Sequence, residues 1–157
     1  AYNNALGSQK GVLKFTTKFD TVNHVIANHE KDEQTIDVEV LTLDDFMEHS
    51  PLQLKIDVEG FETEVIRGGK QIIESPTTKA IIIELNGSGK RYDYDEEKIH
   101  NYLLGNGYLA YNYNPHTRSF ININKFGSHN TIYIKDIDYV DHRCRTAKKI
   151  QILGVNF

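Results

Sequence analysis

The sequence predicts an α/β fold in which a parallel sheet finishes with antiparallel strands. Residues 54–58 alternate apolar and charged side chains as a short strand does, break at Gly60, and lead into a helical pattern. Residues 79–85 contain a run of apolar side chains, which is typical of a strand covered on both faces. Further strand patterns without an intervening helix then follow over residues 108–135.

The first fifty residues are predicted to form outer strands and a long polar loop. Strand patterns cover residues 1–7, 12–17 and 35–41, and Ile36, Val38 and Val40 are expected to face inward on the last of them. Residues 18–34 show no apolar period, so we expect a mobile surface loop there.

Two helical segments flank the central strand. Thr42 and Asp45 have the spacing of a capping box that opens a short helix over residues 43–49. The helix after Gly60 contains the pair Gly68-Gly69. Because each glycine costs about 1 kcal/mol inside a helix, this pair indicates close packing.

The second half of the chain contains one more helix and several short strands. The helix covers residues 96–104, is capped by Asp93 or Asp95, and is expected to turn His100 toward solvent. The tail alternates charges and isolated apolar residues, so little can be assigned to it. The predicted strands are a hairpin of residues 108–113 and 120–124, a last strand at 131–135 and a short tail strand at 150–155.

Composition excludes some functional classes and favours others. A chain of 157 residues corresponds to about one domain. Its formal net charge of -4 gives no support to nucleic-acid or membrane binding. The single cysteine, Cys144, cannot form an internal disulfide, and no signal-peptide pattern is visible, so we expect a reducing, cytoplasmic location.

Acidic side chains collect where two neighbouring strands end. Asp57 and Glu59 follow the central strand, and Glu84 ends the next one. Ligands of open α/β sheets bind at the carboxyl ends of the strands, so these carboxylates are candidate catalytic groups. The alternative is a solvated strand end or, for Glu84, a helix cap or an ion pair with Lys55 or Lys90.

Histidine and metal chemistry give weaker candidates. His129 begins the last strand on the side of the predicted site and could act as a general base, although a structural role is favoured. No Cys/His cluster has zinc spacing, and we assign no metal ligand. A metal site of Asp57, Glu59 and Glu84 for phosphate-ester chemistry stays open as a function of a different class.

Several segments resemble the FkbM-type methyltransferases, which depend on S-adenosylmethionine (SAM). Residues 54–69, LKIDVEGFETEVIRGG, resemble the signature of that family. Residues 40–45, VLTLDD, and residues 4–7, NALG, are similar to two of its upstream segments. Residues 81–84, IIIE, are similar to one of its strands, and the order and spacing agree over residues 3–135.

The resemblance implies a Rossmann-like methyltransferase sheet, parallel with an antiparallel C-terminal strand. It also implies SAM as the cofactor and a methyl transfer to a hydroxyl oxygen of a sugar, another glycan or a small metabolite. In that picture Asp57 or Glu59 removes the acceptor proton or orients the acceptor. The residues implied in cofactor binding are Asn4, Ala5 and Asp57.

The family's glycine-rich loop and its acidic ribose-binding residue have no counterpart in this sequence. We therefore expect a C-terminal part of the methyltransferase domain, with the N-terminal strands missing, that binds SAM weakly or not at all on its own. We interpret residues 1–50 as an outer strand, hairpin and mobile loop, 51–135 as the sheet and helices, and 136–157 as a tail. The alternative function is a non-catalytic or truncated methyltransferase-like domain that forms homodimers through an exposed strand edge.

Overall fold

The computed structural model describes residues 1–31, 34–127 and 129–156. Within these ranges the chain forms a mixed α/β structure with three sheets, and none of its helices is long and apolar enough to cross a membrane. The strands are β1 (Ala5–Leu6), β2 (Gly11–Thr16), β3 (Thr35–Leu41), β4 (Gln53–Ile56), β5 (Ala80–Glu84), β6 (Leu109–Asn114), β7 (Ser119–Asn122), β8 (Asn130–Ile134), β9 (Gln151–Ile152) and β10 (Val155–Asn156). The α-helices are α1 (Glu62–Arg67), α2 (Lys70–Glu74), α3 (Glu96–Gly105) and α4 (Ile137–Thr146).

The largest sheet has five strands in the order β4-β5-β8-β6-β7. β4 and β5 are parallel, with Leu54 opposite Ile81 in the register. β8 is antiparallel to both of its neighbours, β5 and β6, which confirms the predicted antiparallel finish. β6 and β7 form the predicted hairpin. Because β4 and β5 run the same way, their carboxyl ends meet at one edge of the sheet.

One face of this sheet carries the main core. Side chains that alternate along β4 and β5 point to the same face and pack against α1, α2 and α3. Burying each such side chain contributes about 1.5–3 kcal/mol. The fully buried members include Val65, Ile72, Ile73, Ile81, Ile83, Leu103, Tyr108 and Tyr133.

A second, three-stranded sheet lies at the N-terminal side, in the order β1-β3-β2. The expectation that Ile36 faces inward is wrong, because its side chain is 54% exposed. Val40, at the other end of β3, is buried, and Val38 between them is half-buried. Burial therefore increases along β3 from Ile36 to Val40.

Residues 18–34 are not simply a surface loop. The side chains of His24, Val25 and Ala27 are buried. Their backbone extends the small sheet, since the amide of Thr16 donates to the carbonyl of His24 at 3.0 Å and the amide of Ile26 donates to the carbonyl of Lys14 at 2.9 Å. A buried stretch this short has no measurable period, which is why the sequence did not show it. Residues 32–33 of the predicted loop lie outside the described residues.

The tail and His100 also differ from expectation. Asp136 caps α4 by accepting the amide hydrogen of Tyr139 at 3.1 Å, so much of the tail is helical. His100 is buried, and its Nδ1 lies 2.7 Å from the hydroxyl of Tyr133. β9 and β10 form a small antiparallel hairpin where a single short strand was predicted.

The glycine pair between α1 and α2 is a packing device, as the sequence predicted. A Cβ atom on Gly68 would overlap the carbonyl oxygen of Gly7. A Cβ atom on Gly69 would lie 2.5 Å from a methyl carbon of Leu43. The two glycines thus let the N-terminal sheet and the segment before β4 approach the helices. The carboxylate of Asp44 completes this junction by accepting amide hydrogens at the start of α2.

We expect Gly68→Ala to lower the free energy of unfolding by about 2 kcal/mol or more, because the added methyl group meets backbone atoms that cannot move aside. Gly105→Ala is the matched control, since it lies in α3 with open space around it. That change should stabilise the protein by about 0.5–1 kcal/mol. Urea unfolding of both variants measures the difference, and equal stability of the two would contradict the packing role of Gly68.

Candidate active site at the strand ends

Three carboxylates meet at the edge where β4 and β5 end. Asp57 directly follows β4, Glu59 lies two residues later, and Glu84 is the last residue of β5. One carboxylate oxygen from each lies within 4.8 Å of those from the other two. The structure therefore brings together the acidic residues that the sequence placed at this edge, while their catalytic roles remain predictions.

The members of this cluster differ in their affinity for protons. Lys55 Nζ donates to Asp57 Oδ2 at 2.8 Å, and this hydrogen bond holds the pKa of Asp57 below its usual range. Burial, together with the neighbouring charges of Asp57 and Glu59, raises the pKa of Glu84. Of these two carboxyl groups, Glu84 is therefore the one that binds a proton more readily. Lys55 bonds to Asp57, not to Glu84 as the ion-pair alternative suggested.

The turn after β4 has an unusual backbone. Glu59 and Gly60 both have positive φ angles, 54° and 101°. A Cβ atom on Gly60 would lie 2.6 Å from the carbonyl oxygen of Ser88, in the segment that follows β5. Gly60 therefore allows the two site loops to touch. Arg91 strengthens that contact by donating from Nη1 to the carbonyl oxygen of Glu59 at 3.1 Å.

Two buried glutamates, whose inward orientation the sequence did not reveal, tie these loops down. Glu62 accepts the amide hydrogens of Val58 and Gly60, and Glu96 accepts those of Gly87 and Gly89. At the sequence level both read as carboxylates in the first turn of a helix, where the helix dipole favours them on the surface. The sequence feature that could have indicated this role is the position of both glutamates next to glycine-containing loops.

A cleft of about 430 Å³ opens beside the carboxylates. Its polar lining includes the residues implied in cofactor binding, Asn4 and Asp57, and none of the described residues that line it is basic. Ala5, also implied, lines the same cleft. Its remaining lining residues are Leu6, Phe15, Asn23, Val25, Val58, Glu59 and Phe61.

The Methyltransferase FkbM domain model matches residues 2–110, which is more than half of the chain. The chain belongs to the FkbM methyltransferase family. No curated protein and no solved structure matches it significantly. The family match includes Asp57, Glu59 and Glu84 but ends before β7 and β8, so the resemblance expected up to residue 135 is supported to residue 110.

His129 lies beside the strand ends but is not a member of the carboxylate cluster. Its backbone carbonyl accepts the amide hydrogen of Leu85 at 3.3 Å, and its side chain is exposed. It also lies beyond the part of this FkbM methyltransferase domain that the family model matches. A role for His129 as a base stays a prediction.

The oxygen atoms of the cluster have the chemistry that Mg²⁺ accepts. Exposed acidic groups are nevertheless common without a metal ion. Asp57 is already paired with Lys55, whose positive charge balances its carboxylate. We therefore assign no metal to this site.

The raised pKa of Glu84 predicts a pH-dependent effect of Glu84→Gln on stability. Ionisation of Glu84 is disfavoured in the folded state, so the wild type loses stability from this group as pH rises through its folded-state pKa. The variant lacks that loss. The melting temperature of the variant relative to wild type should therefore increase as pH rises above about 4.3, the ordinary pKa of glutamate.

Glu97→Gln is the control for this experiment, because Glu97 is an exposed carboxylate on α3 outside the cluster. Differential scanning calorimetry across the pH range measures both variants. A constant difference between Glu84→Gln and wild type at every pH would contradict the described electrostatics.

Proposed function

We propose that this FkbM domain is a SAM-dependent methyltransferase that acts on a hydroxyl oxygen of a sugar or small metabolite. The observation that carries the proposal is a rim of three carboxylates next to a cleft with apolar walls, aromatic rings and no basic described residue. When bound, SAM supplies a methyl group activated by a positively charged sulfonium. Every other requirement, namely binding, orientation and removal of the acceptor proton, falls to side chains of the protein.

The cleft suits a cation that carries an aromatic ring. Asp57 and Glu59 supply negative charge at the mouth, which favours a sulfonium. Phe15 and Phe61 line the same space and offer ring faces for stacking and for cation–π contact. Asn4, beside them, offers an amide for the polar groups of the cofactor.

The two strand-end carboxylates suit different tasks. Asp57 is held ionised by Lys55, which makes it a weak base and a good fixed charge. The raised pKa of Glu84 makes it a stronger base than Asp57. We therefore assign removal of the acceptor proton to Glu84, electrostatic orientation to Asp57, and positioning of the acceptor to Glu59.

The sheet supports the Rossmann-like part of this proposal. Two parallel strands, β4 and β5, carry the site at their carboxyl ends, as in open α/β enzymes. β8 runs against its two neighbours, which is the antiparallel finish that the resemblance implies for a methyltransferase sheet. The free thiol of Cys144 is compatible with the proposed cytoplasmic location.

Binding of SAM should perturb the amide resonances of the residues that line the cleft, above all those of residues 4–6 and 57–61. We expect SAM to bind about tenfold more tightly than S-adenosylhomocysteine, since the latter lacks the methyl group and its positive charge. Heteronuclear NMR titration of the full chain measures both ligands even when affinity is weak.

Asp57→Asn should reduce this preference for SAM, and Asp37→Asn should leave it unchanged. Asp37 is a matched control because it is also an aspartate paired with a lysine, Lys14, but on β3. Perturbations spread outside the cleft, or equal affinity for the two ligands, would contradict the assignment of the cleft to SAM.

Glu84→Gln should lower the rate of methyl transfer by about 10²–10⁴-fold, which is the usual contribution of a general base. His129→Ala and Glu97→Gln should keep most of the activity. Transfer of an isotopically labelled methyl group from SAM to a panel of polyhydroxylated acceptors measures these rates. A fully active Glu84→Gln variant would exclude Glu84 as the base, and loss of activity in His129→Ala would assign that role to His129.

One observation favours a second candidate, a non-catalytic domain that associates with another copy. Among the described residues, β4 has a strand partner on one side only, and its side chains Gln53 and Lys55 are exposed. An open strand edge can pair with a second chain. SAM binding without any methyl transfer, together with a dimeric mass on native mass spectrometry, would favour this candidate.

A further inference from the structure

We propose that Glu62 and Glu96 are positioning residues that hold the two site loops in one arrangement and so set the separation of the Asp57 and Glu84 carboxylates. The catalytic meaning of this inference rests on the proposed function, but the geometric claim can be tested without cofactor or acceptor. Neither glutamate needs to touch a substrate in this role. Each acts on the reacting groups through the backbone that it holds.

Glu62 holds the turn that carries Asp57 and Glu59. Its side chain is 1% exposed, and Oε1 accepts the amide hydrogens of Val58 at 3.2 Å and Gly60 at 3.3 Å. Those two amides lie on either side of Glu59, whose positive φ needs support from its surroundings. Because Glu62 is the first residue of the buried helix α1, the turn is fastened to the core.

Glu96 does the same for the segment after β5. Its side chain is 9% exposed, and its carboxylate accepts the amide hydrogen of Gly87 at 2.9 Å and that of Gly89 at 3.2 Å. Gly87 lies three residues after Glu84. Glu96 opens α3, whose inner side chains belong to the same core as those of α1. Both site loops are therefore anchored to the same hydrophobic core.

The two loops also touch each other between these anchors. Gly60 packs against the backbone of Ser88 and Gly89, and Arg91 bonds to the carbonyl oxygen of Glu59. Moving either loop would therefore move the other. A shift of about 1 Å in a reacting group can reduce a rate by 10²-fold, so this coupling matters for chemistry.

Stability alone does not explain two carboxylates at these positions. A buried carboxylate loses its hydration, and burial together with the nearby charge of Glu96 raises the pKa of Glu62. Buried ionic groups are often replaced by apolar side chains without loss of stability. An apolar side chain cannot accept hydrogen bonds from two loop amides, whereas Glu62 and Glu96 each do so.

Titration of Glu84 reports the geometry directly. The charged groups that act on it are Asp57 and Glu59, which raise its pKa, and Lys55, which lowers it. Glu62 and Glu96 are not among the largest of these influences. The glutamine variants lose the same charge as the alanine variants, so the part of the alanine shift that exceeds the glutamine shift reports movement of the loops.

The experiment is a ¹³C carboxyl NMR titration of the full chain without ligand. Glu62→Ala and Glu96→Ala should each lower the Glu84 midpoint by about half a pH unit or more toward its ordinary value, because the carboxylates separate. Glu62→Gln and Glu96→Gln keep one acceptor oxygen but lose the charge that strengthens the bonds, so they should produce a smaller shift in the same direction. Glu97→Ala, exposed on the same helix as Glu96, should produce none.

Melting temperatures of the same variants distinguish a positioning role of Glu62 and Glu96 from a purely structural role. A lower melting temperature with an unchanged Glu84 midpoint in the folded variants would show a purely structural role and overturn the proposal. If the alanine variants do not fold, the glutamine variants decide it by the same criterion. The titration contains no SAM, so its result does not depend on whether the protein transfers methyl groups. Conversely, an unchanged Glu84 midpoint would overturn only the positioning role of Glu62 and Glu96, not the methyltransferase proposal.

Discussion

The contact between the turn after β4 and the segment after β5 is the constraint on which the site depends. It requires a residue without a side chain at position 60, because any Cβ there would overlap the carbonyl oxygen of Ser88. Glu59, beside this contact, has a positive φ of 54°, a backbone conformation that side chains rarely adopt. The carboxylates of Asp57 and Glu84 lie close together because β4 and β5 are paired in parallel, with Ile56 opposite Ile83. Local strain and a buried pair of glutamates are thus parts of one arrangement.

The electrostatics of the rim follow from that geometry. Two carboxylates in contact cannot both ionise easily, and the protein resolves this by placing Lys55 beside one of them. The result is an asymmetric pair in which Asp57 stays charged and Glu84 keeps its proton to higher pH. A pair of carboxylates with different proton affinities can provide a fixed charge and a base at the same place. The cleft beside them, with Phe15 and Phe61 in its walls, gives a cationic ligand somewhere to lie.

The sequence predicted which carboxylates lie at the edge of the sheet, but not the buried side chains that hold the site loops in place. Asp57 and Glu84 could be placed together because a period of two identifies strands, and parallel strands end on the same side. The inward orientation of Glu62 and Glu96 could not be predicted, because the sequence pattern of a glutamate in the first turn of a helix is the same whether its side chain faces water or two loop amides. His100 and Val25 were missed for a related reason. Their burial depends on partners distant in the chain, Tyr133 and Phe15, and no local pattern records that.

The order of strands has a consequence for where this domain can be divided. The family match ends at residue 110, near the start of β6, but β8 comes later in the chain and lies between β5 and β6. A fragment cut at the end of the match would lose the strand from the middle of its own sheet. Such a fragment would also lose all but the first two residues of β6, so the edge of β5 that pairs with β8 would have its backbone amides and carbonyls unpaired. The end of the family match is therefore not a position at which the chain can be cut without disrupting the sheet.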